Sequence, residues 1–106
     1  MKERITVLIK EPCKDSELKA IDNTLEAMQA IVDGYIETVN LPGGGILVCN
    51  EEGFIKGLKL NCRVCGHKIY GTFFLCGVDP EDAESFGDAP ITWVNLFTTL
   101  ELLAQG

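Results

Sequence analysis

The stretch YIETVNLPGGGILVCNEEG, residues 35–53, decides the fold. Tyr35, Val39 and Leu41 alternate with Ile36, Thr38 and Asn40, and Glu37 interrupts the otherwise apolar first face. Pro42 and Gly43 to Gly45 turn the chain, and Ile46 to Cys49 return as a second apolar segment. Two short runs around a glycine-rich turn are the signature of a β-hairpin, and the polar elbow Asn50, Glu51, Glu52, Gly53 closes it. An edge position for the first of these strands lets Glu37 reach solvent. The glycines invite comparison with a phosphate-cradling loop. They precede a strand rather than a helix, and no Lys-Ser or Lys-Thr pair follows, so nucleotide binding is set aside.

Upstream, Arg4 to Lys10 place Ile5, Val7 and Ile9 on one face and Leu8 on the other, the pattern of an interior strand, which Glu11 and Pro12 end. Asp15 or Ser16 then caps a helix beginning near Glu17. Leu18, Ile21, Leu25, Met28 and Val32 recur along it at steps of three and four, and Gly34 stands where a left-handed cap is expected. If the strands before and after this helix are parallel, they form a right-handed β-α-β unit.

Downstream, Phe54 to Leu60 read as a folded loop or a single helical turn, because Gly53 and Gly57 are poor helix interior residues. Ile69 to Val78 form the strongest late strand, with Tyr70, Thr72, Phe74 and Cys76 on one face and Ile69, Phe73 and Leu75 on the other. Gly71 marks a bulge or a close backbone approach. Asp79 to Pro90 is acidic and turn-rich, and Thr92 or Asn95 starts a short C-terminal helix with Trp93, Leu96, Phe97, Leu100 and Leu103 as its stripe. The expected fold is α+β: a small mixed β-sheet of about four strands packed against an amphipathic helix, with a short C-terminal helix. With 106 residues, a single α+β domain over 1–106 is expected.

The formal net charge is −7, and no Lys or Arg occurs from Asp79 to Gly106. Such a surface repels a phosphate backbone and an anionic bilayer, so neither nucleic acid nor membrane is an expected partner. No apolar run approaches the roughly 20 residues of a membrane span, and the N-terminus lacks a signal-peptide core, so the expected location is cytoplasmic. The five cysteines, an odd number, read as free thiols rather than a disulfide framework.

Cys62, Cys65 and His67 are the one group with chemical spacing. The two thiols of Cys62-x-x-Cys65 are placed to grip one metal, and His67 with Cys76 would complete four ligands. Cys76, however, lies inside a strand instead of on a second knuckle. A redox role needs a helix N-terminus after the second thiol, where Gly66 stands. His67 has no adjacent carboxylate, and Glu51 and Glu52 point to opposite faces if extended. No catalytic residue and no cofactor are expected.

Taken in order, Ile21 to Leu25 with Met28 and Gln29, Gly34 to Glu37, Cys49 to Gly53, Gly57, Leu58 and Asn61, and Ile69 to Phe74 resemble a family of small uncharacterised proteins, a DUF3846-like domain of unknown function, from Gram-positive bacteria, their phages and mobile elements. Asp33 stands where that family has a hydrophobic residue or glycine, and the Cys62 to Lys68 segment is shorter than its counterpart. The resemblance implies a setting and no mechanism. The leading expectation is a non-enzymatic protein-binding or adaptor protein of a mobile element or phage, contacting an unidentified protein partner through Asn50, Glu51, Glu52, Gly53 and Asn61. The alternatives are a zinc-stabilised domain using Cys62, Cys65, His67 and Cys76, and a small-molecule-binding domain or enzyme with a pocket near Glu51 and Asn61. Trp93 and Phe97 serve either the chain's own core or a homo-oligomer.

Overall fold

The computed structural model describes residues 2–105, and its side chains up to residue 103. The elements are β1 (Arg4–Lys10), β2 (Glu17–Asp22), α1 (Leu25–Val32), β3 (Ile36–Asn40), β4 (Ile46–Asn50), β5 (Leu60–Val64), β6 (His67–Tyr70), β7 (Phe73–Asp79), β8 (Asp82–Gly87) and α2 (Ile91–Gln105). Five strands lie side by side in the order β2-β1-β7-β4-β3, β8 pairs with the far end of β7, and β5 and β6 form a separate two-stranded hairpin. The fold class is α+β, as the sequence predicts, with a larger sheet than the expected four strands.

β7 is buried on both faces because its sequence is apolar on both. Phe74 and Cys76 enter one core with Ile5, Val7, Val48 and Met28. Phe73 and Leu75 enter the other with Leu8, Leu47, Val64 and Ile69. β1 lies between β2 and β7, which explains its two apolar faces, and β3 is an edge strand with Glu37 exposed. α1 covers the first core through Met28 and Val32, while the β5–β6 hairpin and α2 cover the second.

Four expectations are corrected. The β-α-β unit expected from β1 and β3 does not form, because the two strands run in opposite directions with β7 and β4 between them, and every strand pairing among the described residues is antiparallel. The helix expected from Glu17 begins at Leu25, where Thr24 Oγ1 accepts the Ala27 N–H at 3.2 Å. Glu17 to Asp22 instead pair with β1, from Ile9 opposite Glu17 to Arg4 opposite Asp22. The spacing of Leu18, Ile21 and Leu25 fits a helix, but a strand there satisfies the backbone of β1's outer edge, and that non-local gain overrides the period. Third, Asp79 to Pro90 contains β8. Fourth, Ile69 to Val78 is two strands: Gly71, with φ of 83°, ends β6 and redirects the chain into β7.

The cap after α1 also differs from expectation, since Asp33 takes the left-handed conformation (φ 61°) that Asp tolerates better than most residues. The turn after β3 has a tertiary purpose. A Cβ on Gly45 would stand 2.8 Å from the ring of Trp93, whose Nε1 donates to the Pro42 carbonyl at 2.8 Å. The glycine turn is thus the seat of α2. Gly45→Ala is expected to displace the Trp93 ring at a cost of about 1–3 kcal/mol, seen as a lower urea midpoint and a shifted tryptophan emission. An unchanged emission would mean that this seat does not position α2.

Candidate functional site: an elbow, a cysteine hairpin and an apolar groove

Asn50, at the end of β4, is 5% exposed and faces inward. Its Nδ2 donates to the carbonyls of Val32 (3.0 Å) and Asp33 (3.1 Å), and its Oδ1 accepts the Glu52 N–H at 2.7 Å. One amide therefore joins the C-terminus of α1, whose last carbonyls lack helical donors, to the turn after β4. Gly34 makes room for it, since a Cβ there would lie 2.7 Å from Nδ2. Gly53 is buried against the Tyr70 carbonyl, 2.8 Å from where a Cβ would stand. Asn50 and Gly53 thus position the elbow. Of the four elbow residues, Glu51 is exposed and Glu52 half-buried.

Beside the elbow lies a depression of about 260 Å³ whose lining includes Glu37, Cys49, Glu51, His67, Lys68 and Tyr70. Phe54 lies edge-on to Tyr70 at its margin, with ring centroids 5.2 Å apart. Glu51 and His67, widely separated in sequence, are brought together here. Among the described residues neither side chain is held by a hydrogen bond or ion pair, so the depression presents no oriented acid–base pair. Asn61 lies elsewhere. Its Nδ2 donates to the carbonyls of Lys10 (2.8 Å) and Gly71 (2.9 Å), fastening the end of β1 to the link between β6 and β7. The pocket expected near Glu51 and Asn61 therefore includes Glu51 alone.

The cysteine segment is a hairpin where the sequence reads as a surface loop. Val64 pairs with His67, and the intervening Cys65 (φ 48°) and Gly66 (φ 84°) both take positive φ, as a two-residue hairpin turn requires. This geometry separates the expected metal ligands. Cys62 and Cys65 border a groove against α2, His67 borders the depression by the elbow, and Cys76 is fully buried in β7. Among the described residues no group of three or more His, Cys, Asp or Glu side chains stands close enough to hold a metal ion.

Cys49, Cys62 and Cys76 are equally remote from nucleophilic chemistry, which needs the thiolate. Burial pushes Cys76 up to about 12. Burial, with the Glu37 carboxylate adding to it, pushes Cys49 up to about 11. Burial also raises Cys62, against a smaller opposing effect of Lys10.

The groove between the β5–β6 hairpin and α2 has a different character. It encloses about 360 Å³ and is bordered by Val64, Trp93, Leu96, Phe97 and Leu100, with Lys10, Arg63 and Glu101 among its polar neighbours. Val64 is buried and Phe97 half-buried, with the Phe97 ring edge-on to Phe73 at 6.3 Å, so the groove opens onto the second core. Leu96 and Leu100 remain 45% and 54% exposed. Sequence periodicity placed these residues on one helical stripe. That the stripe is only partly covered was hidden, because the same pattern serves a helix packed along its whole length.

A family model described as Domain of unknown function (DUF3846) matches residues 5–99. No curated protein and no solved structure matches the chain.

Asn50→Ala is expected to lower stability by about 2–3 kcal/mol, because it leaves the Val32 and Asp33 carbonyls and the Glu52 N–H without their partner; equilibrium urea unfolding measures it. The thiols add a pH dependence. A neutral thiol is favoured in the folded chain and ionises at lower pH when unfolded, so the stability held by Cys49 and Cys76 is full below about pH 8.5 and is lost as pH rises toward their folded values of about 11 and 12. The urea midpoint should fall between pH 8 and 10, and at pH 8 a thiol reagent should modify exposed Cys13 and Cys65 well before buried Cys49 and Cys76.

Proposed function

Because the chain belongs to this family, whose description names no activity, we propose that it acts by binding another protein, as a cytoplasmic adaptor of a bacterial mobile element or phage, and that the groove between the β5–β6 hairpin and α2 is its contact surface. The setting rests on the sequence resemblance. The binding mode rests on one observation: an open groove bordered by Trp93, Leu96, Phe97 and Leu100 joins exposed aliphatic side chains to the second core. A concave apolar surface with an aromatic floor is what anchoring side chains of a partner fill.

The groove selects the chemistry of its occupant. Its floor takes an apolar helix face, and Lys10 and Arg63 on its border favour an acidic edge on that helix. At physiological ionic strength charges are screened beyond about 8 Å, so the charges on the border itself, Lys10 and Arg63 against Glu101, count for more than the distant acidic surface. Glu51 and Glu52 at the elbow provide a separate polar contact, held in place by Asn50 and Gly53.

Trp93 is the chain's single tryptophan and reports directly on the groove. Titrating dilute protein with a synthetic helical peptide bearing a leucine row and glutamate edges should give a saturable change in Trp93 emission. Leu100→Glu should weaken binding about tenfold, or about 1.4 kcal/mol. An absent response, or equal affinity in Leu100→Glu, would remove the groove from this reading.

A further inference from the structure

We infer that the helix received by the groove is α2 of a second copy of the chain, so that the protein pairs with itself about a two-fold axis; this rests on the groove being a protein-binding surface. Leu96, Leu100 and Leu103 are 45%, 54% and 71% exposed and recur at steps of four and three, so they form one row on α2. Leu96 and Leu100 form one wall of the groove, with half-buried Trp93 and Phe97 beside them. A second α2 laid antiparallel along it brings the same row and the same groove. Two-fold symmetry then makes the contact reciprocal, each row covering the other's aromatic floor.

Charge argues for this occupant and this face. At a formal −7, two copies repel across most of their surfaces. Within its 15 residues α2 carries a single ionisable side chain, Glu101, and no basic one. Glu101 Oε1 already accepts the Ser16 N–H at 2.7 Å. The α2 face is therefore where copies of like charge approach at least Coulombic cost. The border itself holds Lys10 and Arg63 beside Glu101, so it adds little net charge to the approach. α2 thus brings the aliphatic row that the groove selects, with its single carboxylate already held by Ser16. A helix of 15 residues is about 22 Å long. One such helix with the adjoining hairpin offers less than the about 800 Å² per partner of a standard interface, so the pairing is reversible and concentration-dependent.

Sedimentation velocity from micromolar to millimolar concentration should show the mass rising from 11.6 kDa toward twice that value. The rise should be stronger at high salt, where repulsion between the acidic copies is screened. Leu100→Glu and Leu103→Glu, each of which puts a carboxylate into the apolar row, should each weaken pairing at least about tenfold with an unchanged far-UV circular dichroism spectrum. Leu18→Glu, on β2 and 52% exposed, should pair like the wild type. A mass fixed at 11.6 kDa over the whole range, or equal loss in Leu18→Glu and Leu100→Glu, overturns the inference. If the unpaired chain still binds the leucine–glutamate peptide, self-pairing alone fails; if it binds neither, the groove reading fails with it.

Discussion

Burial of β7 on both faces is the constraint from which the rest of the structure follows. Phe73 and Phe74 are adjacent, point to opposite sides of the sheet, and are each wholly removed from water. A buried side chain of this size contributes on the order of 1.5–3 kcal/mol, so both faces of the sheet must be covered, and no single helix can cover both. α1 closes the Phe74 side. The Phe73 side is closed by two pieces, the β5–β6 hairpin and α2, and the boundary between those pieces is where the groove lies.

The cover is held by backbone contacts that only small or amide-bearing residues permit. Gly45 lets Trp93 rest on the turn between β3 and β4, Gly53 lets the elbow lie against Tyr70, and Gly71 turns the chain from the hairpin into β7. Asn50 and Asn61 do related work: Asn50 Nδ2 ties the end of β4 to the adjacent Val32 and Asp33 carbonyls at the end of α1, and Asn61 Nδ2 joins the Lys10 and Gly71 carbonyls from segments far apart in sequence. These residues, which look like surface recognition groups when read as a string, place the binding surface instead of forming it. The part of the elbow left for recognition is Glu51, Glu52 and the neighbouring depression.

The two concave features differ in what they offer a partner. The depression by the elbow mixes apolar Val39, Phe54 and Ile69 with polar groups, of which the Glu51 and His67 side chains are held by no hydrogen bond or ion pair among the described residues, whereas the groove has an apolar floor continuous with the core. Anchoring energy comes from desolvated apolar contact on a fixed surface. The groove therefore carries the functional reading, with the elbow as a polar neighbour on another part of the surface.

The hydrophobic alternation of Ile5 to Ile9, of Tyr35 to Cys49 and of Phe73 to Cys76 was enough to identify β1, β3, β4 and β7, their inward faces, and the edge position that Glu37 requires. The periodicity of the C-terminal segment was enough for α2. These features were legible because period and burial coincide within a few consecutive residues. The Thr24 cap was missed, because the longer run from Leu18 to Leu25 placed the helix start at Asp15 or Ser16 instead. Strand partners were not legible: Glu17 to Asp22 became β2 because the free edge of β1 needed backbone partners, and nothing local to those six residues carries that need. Likewise, the Cys62 and Cys65 spacing is compatible with a metal site until the hairpin turn and the packing of β7 send the thiols, His67 and Cys76 to different places. By itself the sequence determined which residues of the central strands leave water, but not those of the Leu18 to Val32 stripe, where Leu18 and Leu25 stay exposed because that run is split between a strand and a helix. Which of the buried residues meet, and which apolar row stays open beside the groove, was decided by the tertiary structure, because a sheet covered by separate pieces acquires its seams only when those pieces come together.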